Sequence, residues 1–255
     1  MNPIQLNFSG KVALVTGGSQ GLGQNIALAL AQLGAKIAIC GRKKENLDPA
    51  VTLFKSQGHE ILAMPANVAK ADQVKALFEA VEQKYGRLDI LVNNVATNFF
   101  TPSLADADEG LWDKMMETNL KSAFLASSQA VKLMRKTGSG KIVNISSTAA
   151  KKVAAKGMGL YSVSKAGLEM LTRVMAVELA PEHINVNAVA PAMIRTKFSQ
   201  PFWSNEAMLK EYLKGIPMGR IAETGDIVGA VLFLCSDLAN FITGETIIVD
   251  GGAMA

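Results

Sequence analysis

The stretch VALVTGGSQGLGQNIALAL, from Val12 to Leu30, joins a short apolar run to a helical pattern through a glycine turn. Gly17, Gly21 and Gly23 within it follow the spacing G-x-x-x-G-x-G. Glycine is needed where the backbone must approach a pyrophosphate closely, and the helix that follows offers free N–H groups to phosphate. A plain tight turn is the alternative, but these three glycines would then cost conformational entropy without a gain. The stretch therefore predicts a strand, a phosphate-binding turn and a helix.

Short apolar runs alternate with helical patterns along the rest of the chain. The predicted strands are Lys11–Thr16, Lys36–Cys40, Ile61–Pro65, Leu88–Asn93, Lys141–Ser146, Ile184–Ala190 and Thr246–Val249. The clearest helical patterns are Gly21–Leu33, Val74–Tyr85, Trp112–Arg135, Tyr161–Leu179 and Asp226–Leu234. This alternation predicts an α/β fold over residues 1–255, a single Rossmann-type domain whose doubly wound parallel sheet of about seven strands carries helices on both faces. The irregular apolar segment at about 195–217 is expected to be a substrate lid.

Composition limits the classes of function. The chain has 255 residues and a net charge of +4, and its Lys and Arg residues are spread out, so no nucleic-acid partner is expected. It has no apolar run long enough for a membrane span, and its N-terminus lacks a signal-peptide pattern, so a cytoplasmic location is expected. Cys40 and Cys235 lie in apolar runs and predict buried free thiols. His59 and His183 are isolated, and no metal site is expected.

The end of the second predicted strand distinguishes between the two nicotinamide cofactors. An acidic side chain there would bind the adenosine ribose of NAD(H), but the sequence ICGRKKENL has Gly41 at that place, followed by Arg42 and Lys43. A guanidinium suits the 2′-phosphate of NADP(H), which a carboxylate would repel. The alternative is a solvated helix start, where lysines oppose the helix dipole. We therefore expect NADP(H) rather than NAD(H).

Tyr161 and Lys165 are four residues apart in a helical pattern and therefore share one helix face. A phenol with a pKa of about 10 is a poor acid or base at neutral pH, and a nearby ammonium would lower that pKa. Such a phenol could supply the proton that a carbonyl needs when it accepts a hydride. The spacing alone arises often by chance. Two features support it: Ser146 and Ser147 end a strand at the ligand-binding edge, and Asn119 interrupts an apolar helix pattern.

Together these motifs resemble the short-chain dehydrogenase/reductase family over essentially the whole chain. TGGSQGLG resembles its cofactor turn, NNVA its motif after a strand, YSVSK its Tyr-x-x-x-Lys, NAVAPAMIRT its nicotinamide loop and ITGETIIVDGG its last strand. The resemblance implies a hydride-transferring oxidoreductase that interconverts a ketone or aldehyde and an alcohol. It implies that Tyr161 is the general acid in reduction and the base in oxidation, and that Lys165 lowers its pKa and binds the nicotinamide ribose. Ser147 would bind the substrate carbonyl, and Asn119 would hold a water that links Lys165 to solvent.

The resemblance also implies a cofactor site. The residues expected to form it are Thr16, Gly17, Ser19, Gln20, Gly21, Leu22, Gly23, Arg42, Lys43, Asn67, Val68, Asn94, Val95, Ala96, Tyr161, Lys165, Pro191, Ala192, Ile194 and Thr196. Asn93 would stabilise the central sheet. The sequence departs from the family pattern at Val95 and Ala96, where the family usually has Ala-Gly, and this bulk would narrow the space beside the nicotinamide. Asn67 and Ala192 are further departures, in place of the usual Asp and Gly.

The expected substrate is a largely apolar carbonyl compound, as in the carbonyl and retinol reductases of the family. The side chains expected to contact it are Ser147, Tyr161, Asn98, Phe99, Phe198, Phe202 and Trp203, with lid packing or a subunit contact as the alternative for several aromatic groups. A 3-oxoacyl reductase acting on a carrier-linked or CoA-linked chain is the nearest rival, and Val177 counts against it because a basic residue there would help to bind the carrier. A catalytically silent dinucleotide sensor is a further alternative, but such proteins usually lack the Tyr or the Lys.

Two further expectations concern charge and assembly. Lys151, Lys152 and Lys156 lie between Ser147 and Tyr161, and a solvated loop is their first interpretation. The sharper hypothesis is that they attract an anionic group on the substrate. The resemblance implies a homotetramer in which the two long helices form one contact and the last helix and strand form another.

Overall fold

The computed structural model describes residues 5–153 and 155–255 and contains one seven-stranded sheet. All neighbouring strands pair in parallel, in the order β3-β2-β1-β4-β5-β6-β7. The strands are β1 (Val12–Thr16), β2 (Lys36–Gly41), β3 (Ile61–Pro65), β4 (Ile90–Asn93), β5 (Gly140–Ile145), β6 (Ile184–Pro191) and β7 (Thr246–Val249). The predicted doubly wound α/β fold is confirmed.

Helices connect the strands and cover both faces of the sheet. They are α1 (Gly21–Gln32), α2 (Lys44–Ser56), α3 (Ala71–Tyr85), α4 (Glu109–Met116), α5 (Ser122–Thr137), α6 (Gly159–Leu179), α7 (Gln200–Trp203), α8 (Glu206–Leu213) and α9 (Thr224–Cys235). None of the helices within the described residues is both long and apolar enough to cross a bilayer. The predicted absence of a signal peptide rests partly on residues 1–4, which lie outside the described residues.

The alternation of side chains along each strand creates two cores. In β1, Ala13 and Val15 face the cluster beneath α1, α2 and α9, whereas Val12 and Leu14 face the cluster beneath α3, α5 and α6. Successive side chains of a strand point to opposite faces, so a strand between two helical layers must be apolar throughout. This explains why the predicted strands are nearly continuous apolar runs.

The sheet order places a crevice at the carboxyl ends of β1 and β4. Connections from β1 run one way to β2 and β3, and the chain then returns to add β4 to β7 on the other side. Ligands of open α/β sheets bind at such a reversal. The loops after β1, β4, β5 and β6 all meet at this edge, so the predicted site motifs are brought to one place.

Three predicted elements differ in detail. The helix expected over Trp112–Arg135 is longer and is divided into α4, a π-helical turn at Glu117–Lys121, and α5. The segment 195–217, expected to be irregular, contains α7 and α8. Helix α2, which contains Pro49, was not among the clearest predicted helices. That the segment 195–217 acts as a lid remains a prediction.

Candidate active site

The glycine turn has the backbone geometry that its sequence predicts. Gly17 and Gly21 have φ angles of 66° and 59°, in the left-handed region that favours glycine. A Cβ on Gly23 would lie 2.4 Å from Nδ2 of Asn94 and 2.5 Å from the carbonyl oxygen of Gly17. Each glycine therefore has a steric reason, and α1 begins tightly packed against the turn.

Side chains at the end of β4 hold this turn in place. Asn94 Nδ2 donates to the carbonyl oxygens of Thr16 at 3.1 Å and Gly17 at 3.3 Å. The Thr16 hydroxyl accepts from the Asn94 backbone N–H at 3.0 Å and donates to the Val92 carbonyl at 3.3 Å. Thr16 is buried behind the turn. The side chains of Thr16 and Asn94 thus support the backbone of the turn, and that these two residues contact the cofactor stays a prediction.

The turn is suited to a dinucleotide phosphate. Gln20 makes no side-chain cap on α1, and the first turn of that helix holds no acidic residue, so its N–H groups are free for an anion. A Cβ on Gly41 would lie 3.3 Å from the Ser19 hydroxyl, which places the end of β2 beside the turn. Arg42 and Lys43 follow there, exposed, and neither forms an ion pair with the rest of the described chain. The residues present fit an adenosine 2′-phosphate.

The loop after β6 returns to the same turn. A Cβ on Gly21 would lie 3.7 Å from the Thr196 methyl group, so Thr196 borders the glycine turn as predicted. Ile194 is fixed by a parallel bridge to Ala222. On the far side, Asn67 Oδ1 accepts from the Ala69 backbone at 3.1 Å and Val68 is buried. The remaining predicted cofactor positions, Leu22, Val95, Ala96, Pro191 and Ala192, lie in or beside these same loops at the carboxyl edge.

Tyr161 and Lys165 on α6 lie at the end of β5. Lys165 is 2% exposed, and its Nζ donates to the Ile145 carbonyl oxygen at 2.7 Å. The same Nζ lies 5.7 Å from the centre of the Tyr161 ring. The Ser147 hydroxyl lies near the Tyr161 phenol, whose pKa burial raises and Ser147 partly lowers, and it also accepts from the Ala149 backbone N–H at 3.1 Å. The structure therefore brings the predicted serine, tyrosine and lysine together.

The pKa of Tyr161 differs from the sequence-based expectation. We expected the Lys165 ammonium to lower it, but burial raises the pKa of Tyr161 to about 12, and the side chain that opposes this is Ser147. Burial also lowers the pKa of Lys165 to about 8. Removing a charged group from water disfavours its charged form, which raises the pKa of the phenol and lowers that of the ammonium.

Asn119 connects three segments of the site. It lies in the π-helical turn, an irregularity that is frequent at functional sites. Its Oδ1 accepts from the Thr97 backbone N–H at 2.7 Å, and its Nδ2 donates to the Thr97 carbonyl and to the Ser164 hydroxyl, each at 2.9 Å. Ser164 in turn donates to the Tyr161 carbonyl at 2.7 Å. Asn119 thus links the loop after β4 to the helix that carries Tyr161.

Sequence reasoning missed Glu169. This carboxylate is 6% exposed on α6, and it accepts from the Ser146 hydroxyl at 3.1 Å and from Lys151 Nζ at 3.0 Å. The bond explains why Ser147 rather than Ser146 faces the site. Lys151, one of the three lysines considered as an anion attractor, is thereby paired within the protein. A signal was present, because Glu169 follows Tyr161 and Lys165 at the same interval of four residues.

Aromatic side chains line the predicted substrate side. Phe99 and Phe198 are exposed there, and the Phe100 and Phe202 rings pack at 5.1 Å between centroids. Sequence reasoning missed Phe100. Trp203, predicted to contact substrate, donates from its indole N–H to the Thr196 carbonyl at 3.2 Å.

The hydrogen bond from Trp203 to the Thr196 carbonyl anchors α7 to the loop after β6. Its ring also lies under the Arg195 guanidinium, 5.0 Å away. Asn98, by contrast, has a buried Oδ1 without a hydrogen-bond partner in the described chain, which leaves it available to a ligand. The residues described here contain no group of three or more His, Cys, Asp or Glu side chains that could hold a metal ion.

Known proteins are similar to this chain over nearly its full length. Residues 17–254 match the family model described as "Enoyl-(Acyl carrier protein) reductase". The "Dehydrogenase/reductase SDR family member 4" of Sus scrofa is 41% identical over 243 residues, which cover 95% of this chain and 86% of that protein.

Two solved structures extend the similarity to the fold. A short-chain type dehydrogenase/reductase from Mycobacterium marinum is 31% identical, with a TM-score of 0.93 and 98% of each chain covered. A gluconate 5-dehydrogenase from Burkholderia cenocepacia, in complex with NADP and tartrate, is also 31% identical, with a TM-score of 0.92 and coverage of 97% of this chain and 96% of that one.

Proposed function

This chain belongs to the short-chain dehydrogenase/reductase family, and we propose that it is an NADP(H)-dependent oxidoreductase that interconverts a ketone or aldehyde and the corresponding alcohol. One observation carries the proposal: Ser147 lies close enough to the Tyr161 phenol to act on its pKa, and the buried Lys165 Nζ lies 5.7 Å from the centre of the Tyr161 ring, at the carboxyl edge of the sheet. This arrangement provides a proton donor and a binding group for one carbonyl oxygen.

The residues would divide the chemistry as follows. NADPH, when bound along the glycine turn, supplies the hydride. Tyr161 gives its phenolic proton to the oxygen that becomes the alcohol, and the Ser147 hydroxyl holds that oxygen while negative charge develops on it. Lys165 lies one helical turn away, fixed by the Ile145 carbonyl, and binds the nicotinamide ribose. Asn119 keeps the Thr97 backbone and α6 at a constant separation.

The ionisation of Tyr161 decides which form of the phenol is present near neutral pH. With a pKa raised to about 12 by burial, the phenol is protonated, which is the form that reduction requires. Oxidation needs the phenolate as base, and this form becomes populated only at higher pH.

Preference for NADP(H) is supported by the two free cations at the end of β2. Arg42 and Lys43 have no acidic neighbour in an ion pair within the described residues, and Gly41 stands where a carboxylate would exclude the 2′-phosphate. The similar gluconate 5-dehydrogenase was solved in complex with NADP.

An apolar substrate is supported by the aromatic side chains at the entrance. Phe99, Phe100, Phe198 and Phe202 come from the loop after β4 and from the segment 195–217, and their exposed faces suit an apolar or aryl carbonyl compound.

A 3-oxoacyl reductase is the second candidate. The matching family model is described as an "Enoyl-(Acyl carrier protein) reductase", which favours a carrier-linked acyl chain as the substrate but does not point to a 3-oxo group. Against it, Val177 is 78% exposed on α6 where a basic residue would help to bind an acidic carrier. A silent dinucleotide sensor is disfavoured because Ser147, Tyr161 and Lys165 are all present and placed together.

A substrate panel tests the proposal. The purified protein would be assayed for NADPH oxidation with aryl ketones, diketones, 3-oxoacyl thioesters and sugars. We expect turnover with the aryl ketones or diketones. Faster turnover with the thioesters would establish the second candidate, and tight NADPH binding without any turnover would establish the sensor.

We also propose a cytoplasmic homotetramer. The outer faces of α5 and α6 expose apolar side chains, among them Phe124 at 50%, Met170 at 53% and Val174 at 45%. Exposed apolar faces of this kind are covered in symmetric oligomers. Light scattering of the purified protein should give four times the 27.0 kDa mass of one chain.

A further inference from the structure

Glu169 belongs to a series of three side chains that join α6 to the end of β5. Tyr161, Lys165 and Glu169 follow one another at intervals of four residues and so lie along one face of the helix. Lys165 donates to the Ile145 carbonyl, Glu169 accepts from the Ser146 hydroxyl, and Tyr161 lies close enough to Ser147 for that hydroxyl to act on its pKa. Three consecutive residues at the end of β5 therefore each adjoin one of the three side chains.

The second partner of Glu169 lies at the other end of the same segment. Lys151 Nζ is 3.0 Å from Oε2 of Glu169, while Ser146 Oγ is 3.1 Å from Oε1. Between these anchors, the segment forms a short 3-10 turn at Thr148–Ala150, which starts directly after Ser147. The Glu169 carboxylate thus binds both ends of the six-residue segment 146–151, which contains Ser147.

The burial of Glu169 makes its contacts to Ser146 and Lys151 costly to lose. A buried carboxylate requires hydrogen-bonded or charged partners, and losing one of them leaves an unpaired charge in a poorly solvated place. The Glu169 side chain is 7% exposed, whereas that of Lys151 is 31% exposed. The Glu169 carboxylate is therefore held in the interior, and the partly exposed Lys151 at the end of the loop binds to it.

We propose that Glu169, together with Lys151, is a positioning residue that holds Ser147 against the phenol of Tyr161. The proposal rests on the proposed function, in which Ser147 binds the carbonyl oxygen. Without the two contacts of Glu169, the segment would still be joined to β5. The Ser147 hydroxyl would then no longer be oriented by contacts at both ends of the segment. Small misplacements of this kind cost rate more than they cost binding.

The experiment uses Lys151→Met and Glu169→Gln, with Lys152→Met as the matched control. Lys152 is the exposed neighbour of Lys151 and makes no ion pair within the described residues. Because the Lys151 side chain is 31% exposed and that of Glu169 is 7% exposed, replacing Lys151 should cost less stability than replacing Glu169, and thermal unfolding of each variant measures that cost. Each variant would be assayed with an uncharged ketone, and NADPH binding would be measured by titration.

We expect Lys151→Met to lower kcat on the order of 10- to 100-fold, with KM and the NADPH Kd nearly unchanged. Glu169→Gln can still accept from Ser146 and should retain more activity than Glu169→Ala. Combining Lys151→Met with Glu169→Ala should lower kcat no further than Glu169→Ala alone, because both act through one contact. Lys152→Met should behave as the wild type.

A readout independent of turnover is the 13C NMR signal of the Tyr161 ring carbon that bears the hydroxyl. The chain has 3 tyrosines, so Tyr161→Phe assigns this signal directly. It should shift in Lys151→Met and in Glu169→Ala but not in Lys152→Met. Wild-type kcat and an unshifted signal in both variants would overturn the proposal, as would a loss of thermal stability with kcat intact. If the wild type itself reduces no carbonyl, the proposed function fails, while the NMR signal still decides whether Glu169 positions Ser147.

Discussion

The ammonium of Lys165 donates to the carbonyl oxygen of Ile145 over 2.7 Å and lies 5.7 Å from the centre of the Tyr161 ring. The strand end, and not the phenol, fixes the lysine. Burial then lowers the pKa of the lysine to about 8 and raises the pKa of the tyrosine to about 12, which favours the neutral form of each. The proton to be transferred is thus retained on the phenol.

Tyr161→Phe should lower kcat by about 100-fold or more, because general acid catalysis contributes about 10²- to 10⁴-fold. NADPH binding, measured by fluorescence titration, should stay near the wild-type value. Tyr85→Phe is the control, since its hydroxyl donates to the Ile37 carbonyl at 2.9 Å, far from the site. Substantial ketone reduction by Tyr161→Phe would remove Tyr161 from the role of acid.

The stability of the cofactor-free protein should depend on the ionisation of Lys165. Its pKa is about 8 in the folded protein and 10.5 as the ordinary value, so between these pH values the unfolded chain binds more protons. Stability therefore rises with pH in this window, and the penalty of burying the charge is complete below it. The free energy of unfolding of the wild type, minus that of Lys165→Met, should increase by on the order of 3 kcal/mol across the window.

Urea denaturation at several pH values between 8 and 10 measures this difference, a range set by the lysine's folded pKa of about 8 and the tyrosine's ordinary value of 10.0. Tyr161→Phe should keep the same rise, because the raised pKa of Tyr161 acts only above its ordinary value. A difference that stays flat over this range would contradict the assignment of a lowered pKa to Lys165.

Arg42→Ala should weaken NADPH binding by about 10-fold or more and leave NADH binding nearly unchanged, since a charge-assisted hydrogen bond contributes about 1.5–3 kcal/mol. Both dissociation constants would be measured by fluorescence titration. Lys36→Ala serves as the control, because Lys36 is an exposed cation at the opposite end of the same strand. Equal wild-type affinities for NADPH and NADH would show that Arg42 does not select the cofactor.

Two glycine replacements should have effects of opposite sign. In Gly23→Ala the new methyl group would lie 2.4 Å from Asn94 Nδ2, so overpacking should destabilise the protein by about 1–3 kcal/mol and weaken NADPH binding. In Gly229→Ala nothing lies within 4 Å of the new methyl group, so the gain in helix propensity should stabilise α9 by up to about 1 kcal/mol. Urea denaturation measures both, and changes of the same sign would refute this steric account.

Phe100→Ala should raise KM for aryl ketones by about 10-fold, because the apolar wall formed with Phe202 is lost, and change KM for a small diketone little. Steady-state kinetics with both substrates gives the comparison. Phe241→Ala is the matched control, since that ring is fully exposed and belongs to the loop before β7. An equal rise in KM for both substrates would mean that Phe100 supports the site generally instead of selecting the substrate.

The predictable features of this protein are local ones. The β1 run is apolar from Val12 to Val15 because both of its faces are covered, and glycine is required at position 23 because the Gly17 carbonyl of the same turn lies so close to it. The interval of four residues places Glu169 on the helix face of Lys165, but its partner Lys151 lies 18 residues away in an irregular loop, so the sequence does not predict the pair. The pairing of Phe100 with Phe202, from loops after different strands, was invisible for the same reason.

The pKa of Tyr161 could not be predicted from its neighbour at i+4. Its sign is decided by burial, and burial is a property of the assembled fold. The hydrogen bond of Trp203 could not be predicted either. Its indole N–H donates to the Thr196 carbonyl, which only the folded loop brings near.

The π-helical turn at Glu117–Lys121 has a consequence beyond the placement of Asn119. One additional residue in a helix rotates everything after it by roughly 100° about the axis. Helix α4, before the turn, packs on α6, whereas α5, after it, packs on α3, β4 and β5. The π-helical turn therefore rotates α5 about the helix axis relative to α4. The apolar stripes of the two helices then face in different directions although the helix is continuous. Deleting a single residue there would restore the regular bonding of the helix and leave one of the two stripes facing the wrong neighbour.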